Sequence, residues 1–519
     1  MLNSYGKILF GTALVMAMTP LVSWAEGNGI ILAKNLSPTK QSTVPSSAAN
    51  SIKTSIAWTN LMKSPVAGSK KNAEAGRGFG DTWNKYAWSM KDSNGGMLVG
   101  TKNAFYDVQQ YISPSGSVKN CLDNDIYRVT GIHEPLACME LFASPAAVAA
   151  GMASAVAADT RFAEIWRFDY GLKNWSKVLD DPKSQGFRVM ETHNNKVYVG
   201  SDLGAFITGV DLYSGRPGAW NFPGSQLLAA TDGKNFSAVS SCVNSGPCTS
   251  ANGLDNPYGL IGSNPNYTGA VNTSIRALAS FNGKLYVGTF NSMGGQLWAF
   301  DDALNSWALV PLQGITIPTG NPYKPAIMEL RVYKNKLYIG IGGPSGNNYL
   351  YSYDGLAAMA VPVEAQPALP QSNVGVIKLF VASNNVLYIG NTDLTLGFSL
   401  QTYDGTNFNT VTLDGFGNSS NAYSWSMAEF NGRLYLGTFN QDFTANPTSA
   451  SAQLWYSENK IDWQKAALPK NFGPLNYGIR NLELGNNQIF LGTASNMLAP
   501  DLIAGFESFQ PGAEVWSIR

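Results

Sequence analysis

Seven positions, each twelve residues before a recurring glycine, hold most of the side chains that could act together: Trp88, Arg188, Arg276, Met328, Lys378, Trp425 and Arg480. Four cations and two indoles at one repeated place could grip a carboxylate or other anion and stack a sugar or ring system beside it. The competing reading is structural. Each arginine would then pair with an acid of a neighbouring repeat, Glu191 or Glu483 for example, and each tryptophan would be packing.

Other chemistry has little to build on. Cys121 and Cys138 fall in one long connection, Cys242 and Cys248 in another, so the pairs 121 with 138 and 242 with 248 are the simplest of three connectivities. The two histidines, His133 and His193, fall in an insertion and in a tight turn at the opposite end of the repeat. Zinc held by Cys and His is therefore not expected, and a Ser-His-Asp arrangement is poorly supported. No Gly-x-Ser-x-Gly elbow, phosphate loop or zinc-protease motif stands out. Asn and Asp crowd the turns, as turn geometry favours, but build no EF-hand loop. Calcium is left open without being indicated, and no cofactor is expected.

The glycine that marks these positions closes a phrase, Asn282-Gly283-Lys284-Leu285-Tyr286-Val287-Gly288-Thr289. Close copies end at Gly340, Gly390 and Gly437, and weaker ones at Gly100, Gly200 and Gly492. The last five glycines stand 52, 50, 47 and 55 residues apart. A period of about 40–50 residues with several strands per unit is the mark of propeller blades. The clearest copy parses into strand A at 274–281, an Asn-Gly hairpin, strand B at 284–290, strand C at 296–300 and strand D at 307–310. Aromatics of strands C and D, such as Trp166, Trp175, Trp455, Trp463 and Trp516, read as wedges between blades. The fold expected is all-β, a seven-bladed β-propeller with four-stranded blades. The last copy has no strand D, while 54–62 resembles an orphan one with its aromatic at Trp58. An N-terminal strand should therefore complete the last blade and cover its open edge.

The A–B turns read as uniformly tight, which makes their face plain. Insertions at about 102–162, 202–225 and 241–273, with shorter ones at 440–451 and 494–511, gather at the other face. Loops on a rigid scaffold are where binding usually resides, so the loop-rich face is the candidate. In the first insertion, Ser144-Pro145 before Ala146–Ala158 predicts a helix, either a cover for blade edges or a lid.

Lys7, an apolar run at 8–22 and Ser23-Trp24-Ala25 predict a signal peptide at 1–25. A Ser/Thr/Pro/Ala-rich leader at 26–50 and the propeller at 51–519 follow. The expected location is exported: periplasm, cell surface or medium, with no transmembrane segment after cleavage. Charged residues make up 13% of the chain, against roughly 25% in ordinary soluble domains. With 35 basic and 35 acidic residues there is no global field, so nucleic acid is not an expected partner. The chain should be a monomer.

The phrases at 282–289, Gly512-Ala513-Glu514-Val515-Trp516 and Gly415-Phe416-Gly417 through Trp425-Ser426-Met427 resemble a group of largely uncharacterised bacterial secreted propeller proteins. That resemblance covers roughly 54–519 and implies architecture, not activity. The C–D turns at 457–463 and 403–408 are similar, more distantly, to Asp-box hairpins of sialidase-type propellers, and kelch propellers are similar with one double glycine, Gly342-Gly343. The leading expectation is a non-enzymatic module that binds a protein or glycan through its loop-rich face. The alternative is a sialidase-like carbohydrate-active enzyme, a glycosidase or lyase, setting Arg188, Arg276 and Arg480 on an acidic sugar.

Overall fold

The computed structural model describes residues 56–69, 73–81, 84–103, 163–181, 184, 186–202, 225–239, 272–291, 295–314, 326–342, 348–370, 373–441, 452–473, 475–495 and 512–519. All belong to one compact unit, Ile56–Arg519. The expected signal peptide and leader, the four cysteines, His133, the helix at 146–158 and nearly all of the long insertions lie outside the described residues.

Short turns set the local structure. Asn94-Gly95, Asn194-Asn195, Asn282-Gly283, Lys334-Asn335, Asn431-Gly432 and Asn486-Asn487 all take positive φ at both residues. This is the two-residue geometry that matches strand twist, and it explains the abundance of Asn and Gly. The fifth A–B connection differs. Five residues separate Val381 from its partner Leu387, where four separate Ser280 from Leu285. The expectation of uniformly tight turns fails there.

Each motif copy is the second strand of a four-stranded antiparallel set. Unit one is β2 (Asn84–Ser93), β3 (Gly96–Asn103), β4 (Ala163–Asp169) and β5 (Trp175–Asp181). Unit two is β6 (Gly186–His193), β7 (Lys196–Asp202), β8 (Leu227–Ala230) and β9 (Ser237–Ala238). Unit three is β10 (Asn272–Phe281), β11 (Lys284–Asn291), β12 (Leu297–Asp301) and β13 (Ser306–Val310). Unit four is β14 (Ala326–Tyr333), β15 (Lys336–Gly342), β16 (Leu350–Tyr353) and β17 (Val361–Pro362). Unit five is β18 (Asn373–Val381), β19 (Leu387–Asp393), β20 (Leu400–Tyr403) and β21 (Phe408–Thr412). Unit six is β22 (Asn421–Phe430), β23 (Arg433–Asn440), β24 (Leu454–Ser457) and β25 (Gln464–Lys465). In unit seven, β26 (Asn476–Gly485), β27 (Gln488–Ser495) and β28 (Val515–Ile518) are joined by β1 (Trp58–Asn60), which runs antiparallel along β28.

A buried polar network recurs within these sets. In unit three, Gln296 Oε1 accepts from Asn272 Nδ2 and from the Trp298 indole two residues on, both at 3.0 Å, while Thr289 Oγ1 donates to Asn272. Gln453 serves Asn421 and Trp455 in the same way. Glu164 serves Asn84 and Trp166, and Glu514 serves Asn476 and Trp516. Buried polar groups must be bonded, so the recurring Glu/Gln-x-Trp of strand C is a hydrogen-bonding unit as well as a wedge. Asx turns close the C–D hairpins: Asp169, Asp232, Asp354, Asp404 and Asn459 each accept two backbone N–H bonds. Those bonds hold the four aspartates below the ordinary carboxylate pKa.

The apolar core is divided into layers between successive sets. Ile339 and Ile341 of unit four meet Leu297 and Ala299 of unit three, for instance, and Phe490 and Val515 of unit seven meet Trp166 and Met90 of unit one. The motif glycine is where strand B meets the next set. A methyl on Gly288 would lie 2.3 Å from Ile327 Cγ2, and one on Gly492 would lie 2.8 Å from Ala87 Cβ. Each strand A also lies against strand A of the following set, β26 against β2 included. Among the described residues, no helix is long and apolar enough to cross a membrane.

Candidate functional site

A shift of register interrupts the A–B ladder at one equivalent place common to all seven sets, and five sets have a second shift closer to the start of strand A. The residue bulged out at the common place is Trp88, Arg188, Arg276, Met328, Ile377, Trp425 or Arg480 in units one to seven. Six are the positions counted from the glycine, and a bulge is a device for re-aiming a side chain. Lys378 is the exception: it pairs with Gly390, and the equivalent residue is Ile377. The extra residue of the fifth A–B connection displaced the count by one.

The bulge brings the tryptophans and arginines together in pairs. Arg188 Cζ lies 4.9 Å from the ring centre of Trp88, and Arg480 Cζ lies 5.3 Å from that of Trp425. Beneath each indole is a glycine, Gly186 or Gly478, where a methyl would fall 2.2 or 2.3 Å from Trp Cζ3. The unit is thus Trp on one strand A and Gly-x-Arg on the next. Lys102 also lies over Trp88, at 4.8 Å. Arg276 rests over Phe290 at 4.9 Å with Nη1 3.9 Å from Met328 Sδ. Trp88, Trp425, Met328 and Ile377 form one buried cluster with Tyr86, Tyr423, Tyr477 and Phe439. Arg276, Lys378 and Arg480 are half-buried, whereas Arg188 is buried. Each of the three arginines is seated on an aromatic ring.

Glu191 and Glu483, the example acids, both lie within reach of a lysine. Lys91 Nζ lies 3.2 Å from Glu191 Oε1 and 3.8 Å from Glu483 Oε1, bridging units one, two and seven. In units four and five, Lys378 Nζ lies 2.7 Å from Glu329 Oε1, and Arg331 Nη2 lies 3.7 Å from the same atom. Burial opposes the charge of both lysines. For Lys91 the charges of Glu483 and Glu191 outweigh it and raise the pKa above the ordinary value. For Lys378 burial prevails over Glu329, with Arg331 and Arg480 adding to it, and the pKa falls. Glu483 is raised, by burial first and by the Glu191 charge, against Lys91, Arg331 and Lys378. Charges of units four and five are thus felt at Glu483 in unit seven.

Sequence reasoning missed Lys91 and Arg331, although a signal was present. Nine residues before the motif glycine stand Lys91, Glu191, Ala279, Arg331, Ala428 and Glu483 in units one, two, three, four, six and seven. His193, expected in an A–B turn, is instead the last residue of β6, just before the turn at Asn194-Asn195. Its Nδ1 is 2.8 Å from Ser280 Oγ, and its Nε2 is 3.1 Å from Asn194 Nδ2. No cluster of three or more metal-ligating side chains occurs among the described residues.

No protein-family model matches the chain, and neither does any curated protein. Among solved structures, it is similar to the GH74 xyloglucanase from Xanthomonas campestris, with 13% identity and a TM-score of 0.44 over 88% of this chain and 56% of that one. It is also similar to the extracellular domain of a protein assigned as a hybrid two component system from B. thetaiotaomicron, with 12% identity and a TM-score of 0.38 over 68% of this chain and 38% of that one. The chain therefore spans about half of the first structure's length and less of the second's.

Proposed function

We propose that this chain is an exported ligand-binding module, built as a closed seven-bladed propeller, that takes an anionic ligand at the loop-bearing end of its axis. The ring is supported by the run of A-to-A contacts from β2 round to β26 and back, and by β1 on β28. One observation carries the ligand. Around the bulge position, units six, seven, one, two and three bear Trp425, Arg480, Trp88, Arg188 and Arg276, an unbroken arc of indoles and guanidiniums, while units four and five bear Met328 and Ile377. Guanidiniums held on aromatic faces are pre-organised, which lowers the entropy cost of receiving an anion. The insertions at 102–162, 202–225 and 241–273 leave from this end and would supply selectivity. Cys121 with Cys138 and Cys242 with Cys248 would fasten two of them in the oxidising compartment.

A glycosidase or lyase acting on an acidic sugar is the second reading, and it would use the same three arginines. Binding of the mature chain to an array of acidic glycans and acidic peptides tests the proposal. Arg276→Ala should weaken the strongest signals about tenfold, a loss of about 1.4 kcal/mol. Absence of any anionic ligand, or signals that Arg276→Ala leaves unchanged, would overturn it.

A further inference from the structure

We propose a second site, at the A–B turn end of the axis, that binds a small zwitterion such as an α-amino acid. Its carboxylate would lie on Arg331 and Lys378, and its ammonium on Glu483 and Glu191. This rests on the ring reading, because a ring of seven sets units four and five opposite unit one.

The charges divide by wall. Lys91, Glu191 and Glu483 sum to one net negative charge on units one, two and seven, and Arg331, Lys378 and Glu329 sum to one net positive charge on units four and five. The run of strand-A contacts from β2 through β6, β10, β14, β18, β22 and β26 back to β2 sets the walls across from each other in a ring, and the charges of Arg331 and Lys378 act on Glu483 in accord with that. Units three and six place Ala279 and Ala428 at the same register, without charge. All six charged side chains keep contact with water, from 18% exposed at Glu329 to 37% at Arg331. They differ in this from the buried aromatic cluster at the other end.

The two walls are also unequally satisfied. Lys91 has two carboxylates in reach, whereas Arg331 and Lys378 share one. The Arg331 Nε is buried with no hydrogen-bond partner. The terminal nitrogens of Arg331, whose side chain is 37% exposed, suit an incoming carboxylate, which two N–H groups can bind bidentately. An ammonium on the opposite wall would add the positive charge that Glu191 and Glu483 exceed Lys91 by lacking. A dipole across the axis thus selects a ligand carrying both signs over one carrying either.

Titration calorimetry of the full chain against the common L-amino acids, followed by the N-acetyl and amide derivatives of the best binder, tests this. Both derivatives should bind at least about tenfold more weakly than the parent. Arg331→Met should abolish the preference for the free carboxylate, and Glu483→Gln the preference for the free ammonium. Arg331→Lys, which keeps the charge, should rescue part of the affinity. Arg433→Met, which removes a cation paired with Glu458 in unit six, outside both walls, should leave it unchanged. No amino acid binding at millimolar concentration, equal binding of the derivatives, or indifference to both variants would overturn the site. The ring is read separately, from thermal unfolding of Lys91→Met, Glu483→Gln and the double variant. Additive effects would sink the ring; coupling without amino-acid binding would sink only the site.

Discussion

The two ends of the axis solve one problem differently. In the proposed ring seven inner strands converge, and their side chains must fill or line what lies between. At the loop-bearing end they do so with rings: Trp88, Trp425, Tyr86, Tyr423, Tyr477 and Phe439 are buried together, and the cations lie on ring faces. At the turn end they do so with charges of both signs that stay partly wet. Aromatic packing gains from dryness and close fit, whereas ion pairs lose by desolvation and settle near water. The first end should therefore answer to volume and the second to charge and pH.

The sharpest way to break that contrast is to empty the dry end. Trp425 is 5% exposed, over Gly478 and under Arg480. Trp425→Ala should cost about 3–5 kcal/mol in urea unfolding, the usual range for removing a buried indole. Gly478→Ala should cost about 1–3 kcal/mol, since its methyl would meet the indole 2.3 Å away. Together they should cost less than their sum, because the cavity left by the indole accepts the methyl. Strict additivity would show that the indole is not seated on that glycine. Lys91→Met, at the wet end, should cost under about 1 kcal/mol.

Glu→Gln, made once at each end, should have opposite signs. Glu514 is 1% exposed and accepts from Arg77 Nε at 2.8 Å, Gly473 N at 3.2 Å, Asn476 and the Trp516 indole. Glutamine can keep the three bonds made to Oε2, from Asn476, the Trp516 indole and Gly473, but it turns an amide donor toward Arg77 at the other position. Glu514→Gln should cost about 1–3 kcal/mol, the penalty for buried donors left unsatisfied. Adding Arg77→Met should recover part of that cost. A neutral single variant would mean the buried carboxylate is dispensable and that charge is as cheap at the dry end as at the wet one.

What the sequence made legible follows the same division. The repeat, the strand pattern and the tight turns were readable because Asn-Gly and Leu-Tyr-x-Gly each meet a local backbone or contact requirement that recurs unchanged. Trp58 as the aromatic of an added strand was readable too, and it lies edge-on to Trp516 at 6.3 Å. Counting twelve from the glycine found six of the seven equivalent bulges and missed Ile377, because a longer turn moved the ladder without altering the motif. The charge walls were harder. Lys91, Glu191, Arg331 and Glu483 alternate in sign, so they present no repeated residue type, and their meaning lies in the relation between units. Which acid meets which cation depends on which units lie side by side, as units one, two and seven do at Lys91, not on the neighbours in sequence.

The smallest effect is also the most specific to the wet end. Glu483 has a pKa raised above the ordinary value of 4.5. A carboxyl raised on folding contributes stability that is full below 4.5 and is lost as pH rises through the folded value. Glu483→Gln, which cannot ionise, should therefore leave stability unchanged in acid and gain under about 1 kcal/mol over the wild type as pH rises toward neutrality, the modest scale of a half-exposed charge. His193 runs the other way. Burial lowers its pKa below 6.5, so its contribution is full above 6.5 and is lost as pH falls through the folded value. Placing both chains in a His193→Gln background removes that opposing slope. Lys91 is raised from 10.5 and does not titrate in this window. Urea midpoints from pH 4 to 8 then read Glu483 with little interference. A difference that shrinks with rising pH would mean the carboxylate is stabilised where it stands, and the wet end would then be a satisfied ion-pair network with no asymmetry between its walls.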